Sequence, residues 1–139
     1  MSVDEHKRLN LRWIEAFNVR DWATEAACRA PAYVAHLSGA PGPLDGAGWG
    51  AFMGAFTAAF PDARIAVADT VGERDLVATR WTITGTHRGD FQGIPPTGRP
   101  VTMAGVDISR VVDGRIAEHW AQFDVLGVLQ QIGAIPAPA

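Results

Sequence analysis

The stretch Val101 to Asp124, VTMAGVDISRVVDGRIAEHWAQFD, gathers Asp107, Asp113, Glu118, His119 and Asp124 among Met103, Trp120 and Phe123. Carboxylates and imidazoles in apolar surroundings are the groups that take a proton from carbon beside a carbonyl and return it to oxygen, provided their basicity suits neutral pH. His36 is a further candidate earlier in the chain. It is either an acid/base partner or a histidine that ends a strand with an ordinary hydrogen bond.

Asp113-Gly114 lies between two runs of β-branched and aromatic residues and predicts a two-residue hairpin turn, which needs positive φ at its central positions. With Val112 facing Arg115, an unbroken ladder pairs Asp107 with Trp120, Gly105 with Gln122 and Met103 with Asp124. Alternation then gives one face with Met103, Asp107, Ser109, Glu118, Trp120, Gln122 and Asp124. The other carries Ala104, Val106, Ile108, Ala117, His119, Ala121 and Phe123. The first face is either a working pocket, with carboxylates such as Asp107 and Asp124 beside an indole and a thioether, or a solvated surface.

Other elements must position that hairpin. Ser2 with Glu5 matches a capping box, and Leu9, Trp13, Ile14 and Phe17 make the apolar stripe of a first helix. Asp21 to Arg29 predicts a short second helix, stopped by Pro31 before the extended piece Tyr33 to His36. Trp49, Phe52, Met53, Phe56 and Phe60 recur at helical spacing and predict a third helix with an aromatic face. Arg64 to Val71 and Leu76 to His87 read as a second hairpin. In it Arg80 either pairs with a carboxylate such as Asp107 or is an exposed strand residue. Gly89 to Pro100 is too rich in glycine and proline for a regular element and predicts an ordered connector or lid. Leu126, Val128, Leu129 and Ile132 mark a closing helix ending at Gly133. Helices first and a largely antiparallel sheet afterwards make the chain α+β, one domain over residues 1–139.

At 139 residues and 47% hydrophobic content the chain supports one core, and its net charge of -3, without any basic run, argues against a nucleic-acid partner. The lone Cys28 excludes an internal disulfide, and no His/Cys spacing suggests a metal. The polar start and the lack of a long apolar stretch predict a cytoplasmic protein with no membrane contact. With only 19% charged residues and many alanines, some surface is expected to be covered by a second copy, in a homodimer through the outer sheet face with His119 and Phe123 at the contact.

The segments GTHRGDFQGIPPTGRPV and DISRVVDGRIAEHW, then Asp124 shortly before LGVLQQIG, resemble the SnoaL-like polyketide cyclases. These belong to the superfamily that includes ketosteroid isomerase, scytalone dehydratase and limonene epoxide hydrolase. The resemblance spans nearly the whole chain and implies a cone-shaped barrel, a curved, mostly antiparallel mixed sheet wrapped around N-terminal helices. It also implies an intramolecular aldol closure of a polyketide-like small molecule, with no organic cofactor and no metal. By position in the last strand before the closing helix, the resemblance assigns the general acid/base to Asp124. The family's second polar residue, a histidine one strand earlier, falls near Asp107, where this chain departs from the pattern.

An ordinary aspartate, with a pKa near ~3.9, is a weak base; Trp120, Met103 and Phe123 are expected to desolvate Asp124 and raise it, Asp107 to add to the effect and Arg80 to oppose it. The expected catalytic set is Asp124, Asp107 and His36. The expected substrate-binding set is Trp13, Phe17, Trp49, Phe52, Met53, Phe56, Arg80, Met103, Trp120 and Gln122. Two other functions fit the same scaffold. One is epoxide opening, where the limonene-type resemblance points to Arg80 with Thr82 and Gln122 in the acidic positions, unless Asp107 and Asp124 substitute. The other is a ligand-binding module without catalysis.

Overall fold

The computed structural model describes residues 1–138. Helix α1 (Val3–Asn18) starts at Ser2, whose hydroxyl accepts the Glu5 N–H at 3.1 Å, as the capping box predicts. Helix α2 (Trp22–Ala27) is capped by Asp21. Helix α3 (Gly46–Ala59) is capped by Asp45, somewhat before the predicted start at Trp49. Strand β1 (Arg29–Leu37) is longer than the expected piece and contains Pro31, which an edge strand tolerates.

Strands β2 (Arg64–Glu73), β3 (Leu76–Thr86), β4 (Pro100–Val112) and β5 (Arg115–Phe123) follow, and α4 (Val125–Gln131) closes the described chain. The sheet order is β1-β5-β4-β3-β2, with β1 parallel to β5 and every other neighbour antiparallel. Helices α1 and α3 pack on its inner face, and α4 packs against β4. This is the α+β mixed curved sheet that the sequence predicts.

The inner face is legible strand by strand. Val77, Thr79, Trp81 and Ile83 of β3 are buried, as are Tyr33, Ala35 and Leu37 of β1. Asn10 of α1 fixes helix to sheet by donating to Thr79 Oγ1 at 2.8 Å and accepting from Ser109 Oγ at 2.9 Å. Such a satisfied buried network sets one arrangement of the layers. Asn18 does the same at the helix end, bracketing the backbone N–H and C=O of Ile65.

The hairpin turn forms as predicted, with φ of 50° at Asp113 and 76° at Gly114. The expected register beyond it does not. Val112 faces Arg115 and Val111 faces Ile116, but Arg110 then faces Glu118, leaving Ala117 as an extra residue. This β-bulge shifts every later partner by one and exchanges the faces of β5. Asp107 lies opposite Ala121, not Trp120; Gly105 lies opposite Phe123, not Gln122. His119, Ala121 and Phe123 therefore join Met103, Asp107 and Ser109 inside. Glu118, Trp120 and Gln122 turn outward beside Arg110, Ile108 and Val106.

Candidate active site

The bulge places the His119 ring on the buried face one strand from Asp107, and β1 supplies Tyr33 on the same side. His119 Nε2 and Asp107 Oδ2 are 3.0 Å apart, and Tyr33 Oη and His119 Nδ1 are 3.2 Å apart. Burial, the largest influence, pushes the Tyr33 phenol far above its ordinary value; Arg29 opposes this and the carboxylates of Glu25 and Asp107 reinforce it. The phenol therefore stays protonated. Because an ionised carboxylate only accepts, Asp107 Oδ2 takes the proton on His119 Nε2, and in the neutral imidazole Nδ1 then accepts the Tyr33 hydroxyl. Asp107 Oδ1 is buried and has no partner among the described residues. A buried carboxylate oxygen without a protein donor is available to a bound molecule.

Asp107 lines an inner chamber of about 70 Å³, walled also by Phe17, Trp49, Met53, Trp81, Ile83 and His119. The Trp13 and Trp49 rings stand nearly perpendicular to the imidazole, with centroids 5.1 and 5.3 Å away. Phe52, Phe56, Met103 and Phe123 are walls shared with a larger outer chamber of about 560 Å³. The outer chamber opens between the Leu37–Ala40 segment, Phe91 and Gln92 of the connector, and Asp124 to Leu126. The connector is held by His87, whose Nδ1 accepts the Thr97 N–H at 3.2 Å and whose backbone pairs with Gly98 and Arg99. An apolar cavity of this size with few polar groups is the usual form of a small-molecule site.

The model of the SnoaL-like polyketide cyclase family matches residues 7–132. The chain belongs to that family. Among curated relatives of this SnoaL-like protein is the aklanonic acid methyl ester cyclase DnrD of Streptomyces peucetius, 35% identical over 57 residues, or 41% of this chain and 39% of that protein. The nogalonic acid methyl ester cyclase of Streptomyces nogalater is 41% identical over 49 residues, 35% of this chain and 37% of that protein. The matches thus span well under half of these relatives. Solved structures align over far more. AclR of Streptomyces galilaeus, described as a candidate hydroxylase, superposes with a TM-score of 0.91 at 32% identity over 99% of this chain and 87% of its own. IdmH of Streptomyces antibioticus, described as a candidate polyketide cyclase, superposes with a TM-score of 0.84 at 41% identity over 92% of this chain and 98% of its own.

The predicted residues of this SnoaL-like chain fall into three places. Asp107, Trp49, Phe52, Met53, Phe56, Phe17 and Met103 line the chambers, and Trp13 lies behind them against His119. Asp124 lies at the mouth of the outer chamber, exposed, with Oδ1 accepting the Gly127 N–H at 2.9 Å as the N-cap of α4. His36, Trp120, Gln122 and Arg80 are not brought to the cavity. His36 Nε2 meets Glu118 Oε2 at 2.7 Å and its ring stacks on Trp120 at 5.5 Å; Arg80 pairs with Asp69 at 2.6 Å on the exposed side of the sheet. For Trp120 and Gln122 the cause is the bulge; for His36 and Arg80 it is the alternation of β1 and β3.

The bulge also moves His119 and Phe123 inward, away from the outer face where a dimer contact was expected to use them. Tyr33 and Glu25 carried no chemical signal in the sequence. Tyr33 could have been found from the apolar alternation Tyr33, Ala35, Leu37. Glu25, alone in an alanine-rich helix, offered none. No helix among the described residues is long and apolar enough to cross a membrane.

Proposed function

We propose that this protein closes a ring in a polyketide-like ketone by intramolecular aldol addition, with Asp107 as general base. The single observation that supports this most is that Asp107 lines an apolar chamber and has one buried oxygen, Oδ1, without a partner among the described residues, while Oδ2 is held by the His119 N–H. Asp107 removes a proton from carbon beside a carbonyl, and the enolate attacks a second carbonyl of the same molecule, forming the C–C bond. The proton taken from carbon is returned to the resulting alkoxide. The reaction is redox-neutral and isomeric, so it balances without an organic cofactor or metal. Tyr33 and His119 hold the base and fix its proton arrangement. Asp124, at the mouth, is the second acid/base and exchanges protons with the substrate oxygen and with solvent. The outer chamber takes the flat body of the substrate between Phe52, Phe56 and Phe91.

The protein acts as a homodimer in this reading, through the outer sheet face. Val106, Ile108, Val112 and Trp120 leave an apolar surface exposed there, a feature of interaction sites. Size-exclusion chromatography with light scattering checks it: a dimer mass is expected, and a monomer at micromolar concentration contradicts it.

The likeness to AclR over nearly the whole chain favours a second reading, hydroxylation. There the carbon that Asp107 deprotonates takes one atom of dioxygen as its hydroxyl, while an external reductant supplies the two electrons, with two protons, that release the other atom as water. The limonene-type hydrolase arrangement gains no support, because Arg80 is committed to Asp69 outside the cavity.

The test gives the purified protein aklanonic and nogalonic acid methyl esters, the compounds in the relatives' names, and follows product by mass spectrometry and oxygen uptake. A product of unchanged mass and new chromophore, absent with Asp107→Asn, is the expected result. A gain of one oxygen atom supports hydroxylation instead. Binding without conversion leaves a ligand-binding module.

A further inference from the structure

Two indoles and a phenol surround His119, and all three lead back to one buried ion pair that the acid/base chemistry does not use. Trp13 Nε1 donates to Glu25 Oε2 at 2.7 Å, and Trp49 Nε1 donates to the same oxygen at 2.9 Å. Glu25 Oε1 receives Arg29 Nε and a terminal guanidinium nitrogen, each at 3.1 Å. The Arg29 guanidinium lies 5.4 Å from the Tyr33 ring centre. Glu25 is almost fully buried, and a void of about 60 Å³ has Glu25, Trp13 and Trp49 on its wall together with Asp107 and His119.

A carboxylate whose two oxygens are both occupied by N–H donors is poorly suited to taking a proton from substrate. It is well suited to fixing its donors. One oxygen shared by two indoles sets the angle between them, and both rings lie nearly perpendicular to the same imidazole. The position on α2 serves this: the helix is short, but Asp21 anchors its start through the Thr24 N–H at 3.1 Å and hydroxyl at 2.6 Å. Arg29 offsets the charge that Glu25 would otherwise bury alone.

We infer that Glu25 is a positioning residue of the site, holding Trp13 and Trp49 in the orientation that confines the His119 ring and so keeps its Nε2–H on Asp107. The inference rests on the reading in which Asp107 is the base, and it extends that reading from the reacting pair to the shell that aligns it. Small displacements of a catalytic group are costly: about 1 Å can cost on the order of a hundredfold in rate.

The test compares the unaltered protein with Glu25→Leu/Arg29→Met and with Glu25→Gln/Arg29→Met. The first removes the ion pair and the indole acceptor together while leaving no lone buried charge. The second restores an amide oxygen that both indoles can reach. Ring-nitrogen NMR of His119 needs no substrate, and steady-state kinetics on any converted ketone complete the comparison. The unaltered protein is expected to show a single His119 tautomer protonated at Nε2. The Leu/Met variant is expected to unfold cooperatively yet show averaged tautomers, with kcat down about tenfold and KM changed by no more than about threefold. The Gln/Met variant is expected to recover the single tautomer and most of kcat. A folded Leu/Met variant with unaltered His119 signals and kcat overturns the inference. If that variant does not fold, Trp13→Phe/Trp49→Phe replaces it, and unaltered His119 signals there also overturn it. Full turnover by Asp107→Asn would instead remove the general base while leaving the His119 signals to report on Glu25 independently.

Discussion

His119 and Asp107 meet across β5 and β4, Nε2 to Oδ2 at 3.0 Å, although they are not cross-strand partners; Ser109 faces His119 and Ala121 faces Asp107. They share a face only because Ala117 adds one residue to β5. The bulge is therefore a part of the site: it brings the imidazole inside and sends Trp120, stacked on His36, to the exposed side.

Deleting Ala117 tests that directly. The deletion removes the extra residue but leaves Glu118 opposite Arg110 and His119 opposite Ser109, so the ladder becomes regular and His119 stays inside. The variant is expected to fold with a cooperative thermal transition, within about 2 kcal/mol of the parent. Loss of that transition would show that Ala117 is not simply the extra residue of the strand.

At Asp124 a structural role can be separated from chemistry. Asparagine caps a helix about as well as aspartate, whereas alanine loses roughly 1 kcal/mol. Asp124→Asn is thus expected to keep the parent Tm while turnover falls, and Asp124→Ala to lose both. Unchanged turnover in the asparagine variant would leave Asp124 as a helix cap alone.

Gly105 makes room for one wall of the inner chamber. A β-carbon there would stand 2.5 Å from the Trp81 ring and 3.0 Å from the Gln122 carbonyl. The indole must move if Gly105→Ala is to fold, since the carbonyl belongs to the sheet. A destabilisation of about 1–3 kcal/mol in denaturant unfolding is expected, with weaker binding of flat ligands. Parent stability would contradict the close packing.

Asp62 carries a pH dependence of stability. Its hydrogen bonds from the Thr86 hydroxyl and backbone N–H lower its pKa, the hydroxyl first. A carboxyl depressed in the folded state contributes stability above its unfolded value, about 3.9, and loses it as pH falls through the folded value. Asp62→Ala is expected to lower Tm at neutral pH, and the gap to the parent is expected to shrink on acidification below about pH 4. A gap constant with pH would contradict the assignment.

Local signals announced most of the fold. Asp113-Gly114 demanded its turn, Ser2 and Glu5 their capping box, and Trp49 to Phe60 their helix, because each is decided by a few neighbouring residues. The site was less legible because its polarity is inverted. On β4 the buried face holds Asp107 and Ser109 and the exposed face Val106 and Ile108, so the usual rule of apolar residues inside misleads where function places charge inside. Had the outward pattern of Glu118, Trp120 and Gln122 been weighed against Ile116, an extra residue between them would have followed. Nothing local ties Glu25 to residues 13 and 49; that relation exists only after α1, α2 and α3 pack.

The central claim is that Asp107 removes a proton from carbon, and solvent exchange reads that step without ring closure. A keto ester that lacks the acceptor carbonyl of the ring closure is incubated in deuterium oxide, and deuterium uptake at the carbon beside its ketone is followed by NMR. The account predicts uptake accelerated by the protein and slowed by about a hundredfold or more in Asp107→Asn. Equal uptake with the parent and with Asp107→Asn would contradict it.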